Sequence, residues 1–180
     1  MSYPTKPAFF HYGTWDDRSR QHECMKWMEK YAKAVDAKAW DTEPYSNWFT
    51  SDHVLRRSTG ENISGGEASW STLSKDVYAP FAEHLHDPQY IICWEADDGW
   101  EMIGVATLHW NLVAPGDGPK VKGTDGKEWD GAGPAAFKFH YVKQSDGGIK
   151  LSETAIFADP TVAIASMLKR GMMKPEDLLK

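Results

Sequence analysis

The sequence has little cysteine: Cys24 and Cys93 are the only two in 180 residues. They lie far apart in the chain. They could form a disulfide, but we expect two buried free thiols. Free thiols are typical of a reducing compartment, and the first residues lack the apolar core of a secretory signal peptide. The sequence therefore predicts a cytoplasmic protein.

Long apolar runs and clusters of positive charge are also missing. No run approaches the eighteen or more apolar residues of a membrane span, so we expect no association with membranes. The formal net charge is −6, the lysines are scattered, and the only adjacent arginines are Arg56 and Arg57. Because nucleic-acid binding needs a basic face that displaces counterions, no nucleic-acid partner is expected.

The motifs that hold phosphates, nucleophilic serines or metal ions are absent too. The chain has no phosphate-cradling glycine loop, no nucleophile elbow and no kinase or dinucleotide fingerprint. Its seven histidines show no recognised spacing of metal ligands. The sequence therefore predicts proton chemistry that needs neither a cofactor nor a metal.

Aromatic residues are abundant, with nine Trp, seven Tyr and seven Phe. One interpretation is a core and a dimer interface rich in rings. The other is a ring-lined cavity for a flat, apolar ligand, because small-molecule pockets are mostly apolar and aromatic with few polar groups. Both interpretations can hold together.

The order of the predicted elements indicates the fold class. Residues 16–40 have helical periodicity, with Cys24, Met28, Tyr31 and Val35 on one stripe. The last part of the chain consists of alternating, strand-like runs that are joined by the turns 97–99 and 145–148, both of which contain Asp-Gly. Helices followed by a meander of strands favour an α+β fold over a doubly wound sheet.

The elements predict a single domain over residues 16–171, with an N-terminal arm at 1–15 and a C-terminal tail at 172–180. A glycine- and proline-rich segment at 114–134 interrupts the meander; it is either a lid or dimer arm or a tolerated surface insertion. Helical segments are expected at 16–40, 64–82 and 160–169, the last ended by Gly171, and a short turn or helix is expected at 44–49. Strands are expected at 53–58, 90–96, 100–113, 135–143 and 149–157, with a break at 87–88.

Four short segments, in this order, resemble the SnoaL-like proteins of the nuclear-transport-factor-2-like superfamily. They are Asp-Ala-Lys-Ala-Trp-Asp at 36–41, Phe-Thr-Ser-Asp at 49–52, Gly-Gly-Glu-Ala at 65–68, and the last strand with its Asp-Pro ending at 148–160. Together these segments cover roughly residues 24–170. The resemblance implies a cone-shaped α+β barrel, in which a curved, mostly antiparallel sheet wraps around N-terminal helices and is followed by a C-terminal helix.

Within this superfamily, the helix end at 36–41 and the hairpin at 140–151 resemble the fungal scytalone dehydratases. In that family a helix-borne Asp is hydrogen-bonded to a His at the start of a strand, and Asp36 and His86 are the positional counterparts. The sequence also departs from the family in three places. Val35 takes the place of the tyrosine that precedes the helix Asp, and the family's strand tyrosine aligns near Arg57. His109 lies three positions before the place of the family's second catalytic histidine.

Asp36 and His86 are the first candidates for catalysis. Asp36 lies at the edge of the apolar stripe, where it either orients an imidazole or is a solvated residue at a helix end. His86 has a side chain suited to acid–base work near neutrality, although it could also be a histidine of a loop. His84, two residues before it, is easily confused with it.

Arg57 and His109 are the candidates for stabilising negative charge. Arg57 lies inside the cone if Leu55 does, by the period of two, and then Arg56 faces outward. An arginine in the cavity would bind an enolate or phenolate oxygen. Strict alternation from Gly104 predicts that Trp110 faces inward and His109 faces outward, whereas one β-bulge would reverse both directions.

The candidate substrate-binding residues are aromatic or polar side chains on the predicted cavity wall, with core packing as the alternative for Tyr45, Trp48 and Trp110. The hairpin resemblance implies that Ser152 and Thr154 face inward and that Glu153 faces outward. Alternation would also leave Phe137, Phe139 and Tyr141 on an exposed, dimer-forming face, with Lys138 and His140 facing into the cone. The substrate-binding set is Trp40, Tyr45, Trp48, Trp110, His140 and Thr154.

The resemblance and the residues together favour a cofactor-independent lyase or isomerase that forms a homodimer. It would act on a small hydrophobic or aromatic substrate, a polyketide, terpenoid or alkaloid intermediate of secondary metabolism, by dehydration, cyclisation or isomerisation. The alternatives are a non-catalytic ligand-binding or adaptor module on the same fold, and a structural subunit of a larger enzyme.

Overall fold

The computed structural model describes residues 7–179. Its main element is a seven-stranded sheet, and helices cover one face of this sheet. The helices are α1 (Glu23–Asp36), α2 (Gly66–Thr72) and α3 (Thr161–Lys169). The long strands are β2 (Phe49–Arg56), β4 (Phe81–Glu95), β5 (Gly99–Leu112), β8 (Gly131–Lys143) and β9 (Ile149–Ala158). The short strands are β1 (Ala8–Tyr12), β3 (Asn62–Ser64), β6 (Val121–Lys122) and β7 (Glu128–Trp129).

The strand order of the main sheet is β1-β4-β5-β8-β9-β2-β3. All neighbours are antiparallel except β2 and β9. The predicted meander is therefore present as β4, β5, β8 and β9, and the predicted α+β class is confirmed. In the described part of the chain, no helix combines the length and the apolar character required to cross a bilayer.

Helix α1 supplies the apolar stripe that packs on the sheet. Cys24, Met28, Tyr31 and Val35 are buried, as the periodicity predicts. The predicted start at residue 16 is wrong, because Asp16 accepts a hydrogen bond from the Ser19 amide and forms a separate turn. At the other end, the left-handed conformation of Lys38 (φ 56°) turns the chain away directly after α1, a role that glycine more often fills.

Strand β4 is longer than the sequence predicts. The expected break at Asp87–Pro88 is wrong, because the strand runs from Phe81 through Pro88, which pairs with Ala106. The register shifts between Pro88 and Tyr90, and such a bulge accommodates a proline that has no amide proton for the ladder. The predicted helical segment at 64–82 is correspondingly shorter: α2 is followed by a π-helical turn, Leu73–Val77, and then by β4.

The predicted N-terminal arm and the segment 114–134 both contain short strands. The N-terminal arm contains the edge strand β1, which pairs with β4; residues 1–6 lie outside the described part, as does residue 180 of the tail. The segment 114–134 holds the hairpin β6–β7 and the first residues of β8. Gly171 (φ 68°) ends α3 as expected.

Candidate active site

Two adjoining cavities lie on the helix-covered face of the sheet. The α1 cavity, of about 70 Å³, lies between α1 and the sheet, and His86 forms part of its wall. The α3 cavity, of about 280 Å³, lies between the sheet and α3. Tyr78, Phe137 and Ile156 line both cavities and mark where they meet. The α3 cavity therefore provides most of the room for a ligand, and the α1 cavity contributes the imidazole.

The end of α1 and the first half of β4 bring Asp36 and His86 together. Nδ1 of His86 lies 2.6 Å from Oδ1 of Asp36. The backbone N–H of His86 also donates to the same carboxylate, at 3.2 and 3.3 Å from its two oxygens. Because the carboxylate holds both the ring and the main chain of His86, the orientation of the imidazole is fixed from two sides.

Tyr78 completes this chain of hydrogen bonds. Its Oη lies 3.0 Å from Nε2 of His86. A carboxylate only accepts hydrogen bonds, so Nδ1 of His86 carries the proton and donates it to Asp36. Burial raises the pKa of the Tyr78 phenol well above its ordinary value, so the phenol stays protonated and donates to Nε2. The π-helical turn Leu73–Val77, directly before Tyr78, places this hydroxyl, and no motif in the sequence pointed to it.

His84 lies beside this chain but has no hydrogen-bond partner for either ring nitrogen within residues 7–179. Its side chain is fully buried, and its ring stacks on Tyr78 with the centroids 4.4 Å apart. Burial, and to a smaller extent the neighbouring His86, lowers the pKa of His84 to about 3. His84 is therefore a neutral ring that packs behind the Asp36–His86 pair.

Two groups of side chains in the described part of the chain could hold a metal ion. In the first group, ligand atoms of Asp36, His84 and His86 lie within 4.8 Å of one another. The second consists of His22, Cys24 and Cys93, and both of its cysteines are free and buried, as predicted.

Thr154, Trp110 and Arg57 lie where the sequence predicts. Thr154 lines the α1 cavity, and Trp110 lines the α3 cavity. The pairing of β5 with β8 is regular from Gly99 to Trp110, so no bulge reverses the alternation. Arg57 lines the α3 cavity and forms an ion pair with Glu61 at 2.9 Å, while Arg56 is exposed.

The side of β8 that faces the cavities is the opposite of the predicted one. Phe137 and Phe139 line the α1 cavity, and Tyr141 is fully buried. Lys138 and His140 lie on the outer face, where Lys138 is 3.6 Å from Glu101 and 3.6 Å from Glu153. The predicted substrate-binding role of His140 is therefore wrong. The reason is physical: burial of three rings is favourable, whereas a lysine inside the cone would need a buried partner.

His140 and His109 both belong to the outer face. His140 lies 2.9 Å from Glu101. His109 is buried beside Trp129 of the β6–β7 hairpin and lies 3.9 Å from Asp87. Neither histidine lines a cavity. The expectation that His109 stabilises negative charge in the cavity is therefore wrong, whereas its outward direction is as alternation from Gly104 predicts.

Three predicted wall residues are packed elsewhere. Trp40 stacks on Tyr78 and His84 from outside the cavities. Tyr45 packs against Gly66 of α2, and Trp48 packs against α1 through Tyr31. None of the three lines either cavity, and for Tyr45 and Trp48 the alternative of core packing is correct. Ser152 also does not face inward; it lies at a bulge of β9 and donates to the His140 carbonyl.

Comparison with known proteins finds no matching family model and no matching curated sequence, but it finds similar solved structures. Nuclear transport factor 2 from Cryptosporidium parvum is 8% identical with a TM-score of 0.56, over 80% of this chain and 97% of that chain. The hexachlorocyclohexane dehydrochlorinase LinA-type3 from Novosphingobium barchaimii is 15% identical with a TM-score of 0.57, over 80% and 91%. A protein assigned as a scytalone dehydratase from Novosphingobium aromaticivorans is 13% identical with a TM-score of 0.58, over 79% and 86%.

These similarities define the class by its fold. The chain has a cone-shaped α+β fold similar to that of nuclear transport factor 2, as the resemblance of its short segments implies. The solved structures that share this fold include proteins named as a dehydrochlorinase and a dehydratase. At these identities the comparison establishes the architecture, and the chemistry has to be argued from the site of this chain.

Proposed function

We propose that the protein is a cofactor-independent lyase or isomerase, in which His86 moves a proton and Asp36 orients it. The observation that carries this proposal is the 2.6 Å hydrogen bond between the two side chains, at the wall of a mainly apolar cavity. A carboxylate on Nδ1 fixes the tautomer, leaves Nε2 as the basic atom and stabilises the imidazolium that forms.

In the proposed reaction, Nε2 of His86 takes a proton from a carbon that is acidified by a neighbouring carbonyl group. The electron pair of the broken C–H bond forms a C=C bond. In a dehydration the leaving hydroxyl departs with its bonding electrons and takes a proton from the imidazolium, so that water is released and His86 is neutral again. In an isomerisation the proton returns to a different carbon of the same substrate.

Two further residues would assist the proton transfer. Tyr78 lies where the two cavities meet, and Arg57 lines the α3 cavity. The Tyr78 hydroxyl lies 3.0 Å from Nε2, so a proton can pass between the phenol and the imidazole or the substrate can displace this contact. Arg57 keeps guanidinium donors beyond its contact with Glu61. These donors would bind developing negative charge on a substrate oxygen.

The proposed substrate is a small hydrophobic or aromatic molecule, in keeping with the ring-lined walls. A polyketide, terpenoid or alkaloid intermediate of secondary metabolism has this character, and dehydration, cyclisation and isomerisation all suit the site. We propose that the protein acts in the cytoplasm, which two free buried thiols support.

The alternative is a non-catalytic ligand-binding or adaptor module on this fold. An adaptor would have a filled or uniformly apolar cavity. The α1 cavity instead gathers His86, Tyr78 and Thr154 among apolar residues, and this convergence of polar groups favours the enzyme.

A homodimer remains part of the proposal, but through a different face from the one first expected. Cross-strand pairing joins Tyr12, Tyr90, Val105, Ala136 and Phe157 in one row over five strands, and three of them, Tyr12, Tyr90 and Phe157, are exposed on the outer side of the sheet. Phe157 is 55% exposed and Tyr12 is 75% exposed. An exposed apolar row of this length is typical of an interaction surface, and a second copy would bury it.

The test is a screen of cyclic β-hydroxy ketones and phenolic polyketide-like ketones in D₂O with the wild-type protein and the His86→Ala variant. We expect the wild type to eliminate water from, or to exchange deuterium into, at least one compound class, and the variant to do neither above background. Equal conversion by both proteins would refute the proposal. Biosynthetic enzymes encoded beside this gene would narrow the choice of compounds.

A further inference from the structure

A second polar pair, formed by His53 of β2 and Thr154 of β9, reaches the α1 cavity from the side opposite α1. Nε2 of His53 lies 3.0 Å from Oγ1 of Thr154. His53 is fully buried, Thr154 is 3% exposed, and Thr154 lines the cavity. The proposed proton transfer at His86 uses neither residue.

This pair requires an explanation because burying an imidazole and a hydroxyl is unfavourable compared with burying apolar residues of similar size. The fold does not need it for strand pairing: β2 and β9 are joined by their backbones, with Leu55 opposite Thr154. The His53 ring is held in place by stacking on Phe49, with the centroids 3.9 Å apart. The pair is therefore rigid, and its orientation is determined by the core.

The protonation of His53 follows from its surroundings. Burial lowers the pKa of His53 to about 3, so near neutral pH the ring is uncharged and carries one N–H. Nδ1 is buried and has no hydrogen-bond partner among residues 7–179. An orphaned N–H donor is a rarer buried group than an unpaired acceptor, so the proton belongs on Nε2, which donates it to Oγ1 of Thr154.

This tautomer determines what the Thr154 hydroxyl can do. Since Oγ1 accepts from His53, its own hydrogen remains to be donated. The described residues give this hydroxyl no hydrogen-bond partner other than His53. Because Thr154 lines the cavity, a molecule bound there can provide the acceptor for this hydrogen.

We propose that Thr154, positioned by His53, donates a hydrogen bond to a carbonyl oxygen of the substrate, so that the substrate is a mainly apolar ketone bound with its oxygen toward β9. This inference rests on the proposed use of the cavity as the substrate site and adds the residues that bind the substrate's carbonyl oxygen. The same carbonyl would acidify the adjacent C–H bond that His86 breaks, and a donor at its oxygen would stabilise the enolate.

The experiment measures binding of two probes with one carbon skeleton, 1-tetralone and tetralin, by isothermal titration calorimetry without any turnover. We expect the wild type to bind the ketone more tightly than the hydrocarbon. Thr154→Val keeps the shape of the side chain and removes the donor, so it should weaken ketone binding about 5- to 10-fold and leave tetralin unchanged. Thr107→Val, on the outer face of β5, is the matched control and should change neither.

A second measurement tests the role of His53 by a signal that a merely structural residue would not give. The ¹⁵N shifts of histidine-labelled protein should identify His53 as the Nε2–H tautomer, with His53→Phe used to assign the signal. His53→Phe should also lose part of the ketone preference while circular dichroism still reports a folded protein.

Several results would overturn the inference. The wild-type protein could bind the two probes equally or bind neither. The Thr154→Val variant could keep the preference for the ketone. The ¹⁵N shifts could place the His53 proton on Nδ1. Because these readouts need no turnover, they separate this inference from the proposed reaction. An active His86→Ala variant would refute the proton transfer and leave a persisting ketone preference intact.

Discussion

The carboxylate of Asp36 binds His86 twice, through the ring Nδ1 at 2.6 Å and through the backbone N–H at 3.2 and 3.3 Å. The two residues are separated by 50 positions in the chain. This double contact fastens the end of α1 to β4 and at the same time sets the direction of the imidazole. A change at Asp36 therefore affects the orientation of His86, and a change at His86 removes the proton-carrying group itself.

The first prediction concerns these two residues. His86→Ala should lower turnover about 10²–10⁴-fold, the usual contribution of a positioned proton-transfer group. Asp36→Asn should give a similar but smaller loss, because an amide on Nδ1 allows the wrong tautomer. Binding of a product analogue should change little, since the ring-lined walls provide most of the affinity. His140→Ala, on the outer face, is the control; a folded His86→Ala protein with near-native turnover would remove His86 from the mechanism.

The second prediction concerns the Tyr78 hydroxyl. Tyr78→Phe should lower turnover by less than His86→Ala does, about 10- to 100-fold, because the ring stays in place while the donor to Nε2 is lost. Tyr31→Phe is the matched control, since Tyr31 lines the same cavity without a hydrogen bond to His86. The measurement is the initial rate for both variants. An increase in rate for Tyr78→Phe would mean that the hydroxyl only blocks Nε2.

The third prediction concerns metal ions. Asp36, His84 and His86 are close enough to hold one, but the proposed proton transfer does not require it. EDTA should therefore leave turnover unchanged after extended dialysis. Inhibition that is reversed by one divalent metal would replace the acid–base proposal by metal-assisted chemistry at the same three residues.

The fourth prediction concerns stability in acid. Burial lowers the pKa of His53 and of His84 to about 3, whereas an unfolded chain has a histidine pKa of about 6.5. Between these two values the unfolded state binds protons that the folded state does not, so the free energy of unfolding should fall as the pH is lowered from about 6.5 towards 3.

Each of these histidines should contribute at most about 1.4 kcal/mol per pH unit to this slope. Urea unfolding at several pH values checks it. His84→Phe should make the free energy of unfolding depend less steeply on pH, whereas His140→Gln should not have this effect. An unchanged pH dependence in His84→Phe would contradict the assignment of a neutral, buried His84.

The fifth prediction concerns assembly. Light scattering at micromolar concentration should report a homodimer, because the outer row from Tyr12 to Phe157 would otherwise be exposed. Phe157→Lys places a charge in that row and should give a monomer with the same circular dichroism spectrum. Asn62→Lys, on the β3 edge of the sheet, should remain dimeric. A wild-type monomer would count against the dimer.

The resemblance to the scytalone dehydratases implied the pairing of Asp36 with His86. The residues by themselves were sufficient for the α+β class, the final hairpin and the end of α3 at Gly171. These features depend on local signals: a helical stripe, Asp-Gly turns, and a short motif that marks the end of a helix. Each of these signals is determined by residues close in the chain, so it can be recognised before the tertiary structure is known.

The tertiary structure alone decided which side of β8 faces the cavities and which aromatic residues line them. Alternation with a period of two shows that Phe137 and His140 lie on opposite faces of β8, but it does not show which face is turned to the cavities. The packing of the whole sheet decides this. The position of the Tyr78 hydroxyl depends on a π-helical turn, and the contact of His53 with Thr154 joins residues 101 positions apart. Such contacts arise from packing between distant elements, and no local pattern in the chain encodes them.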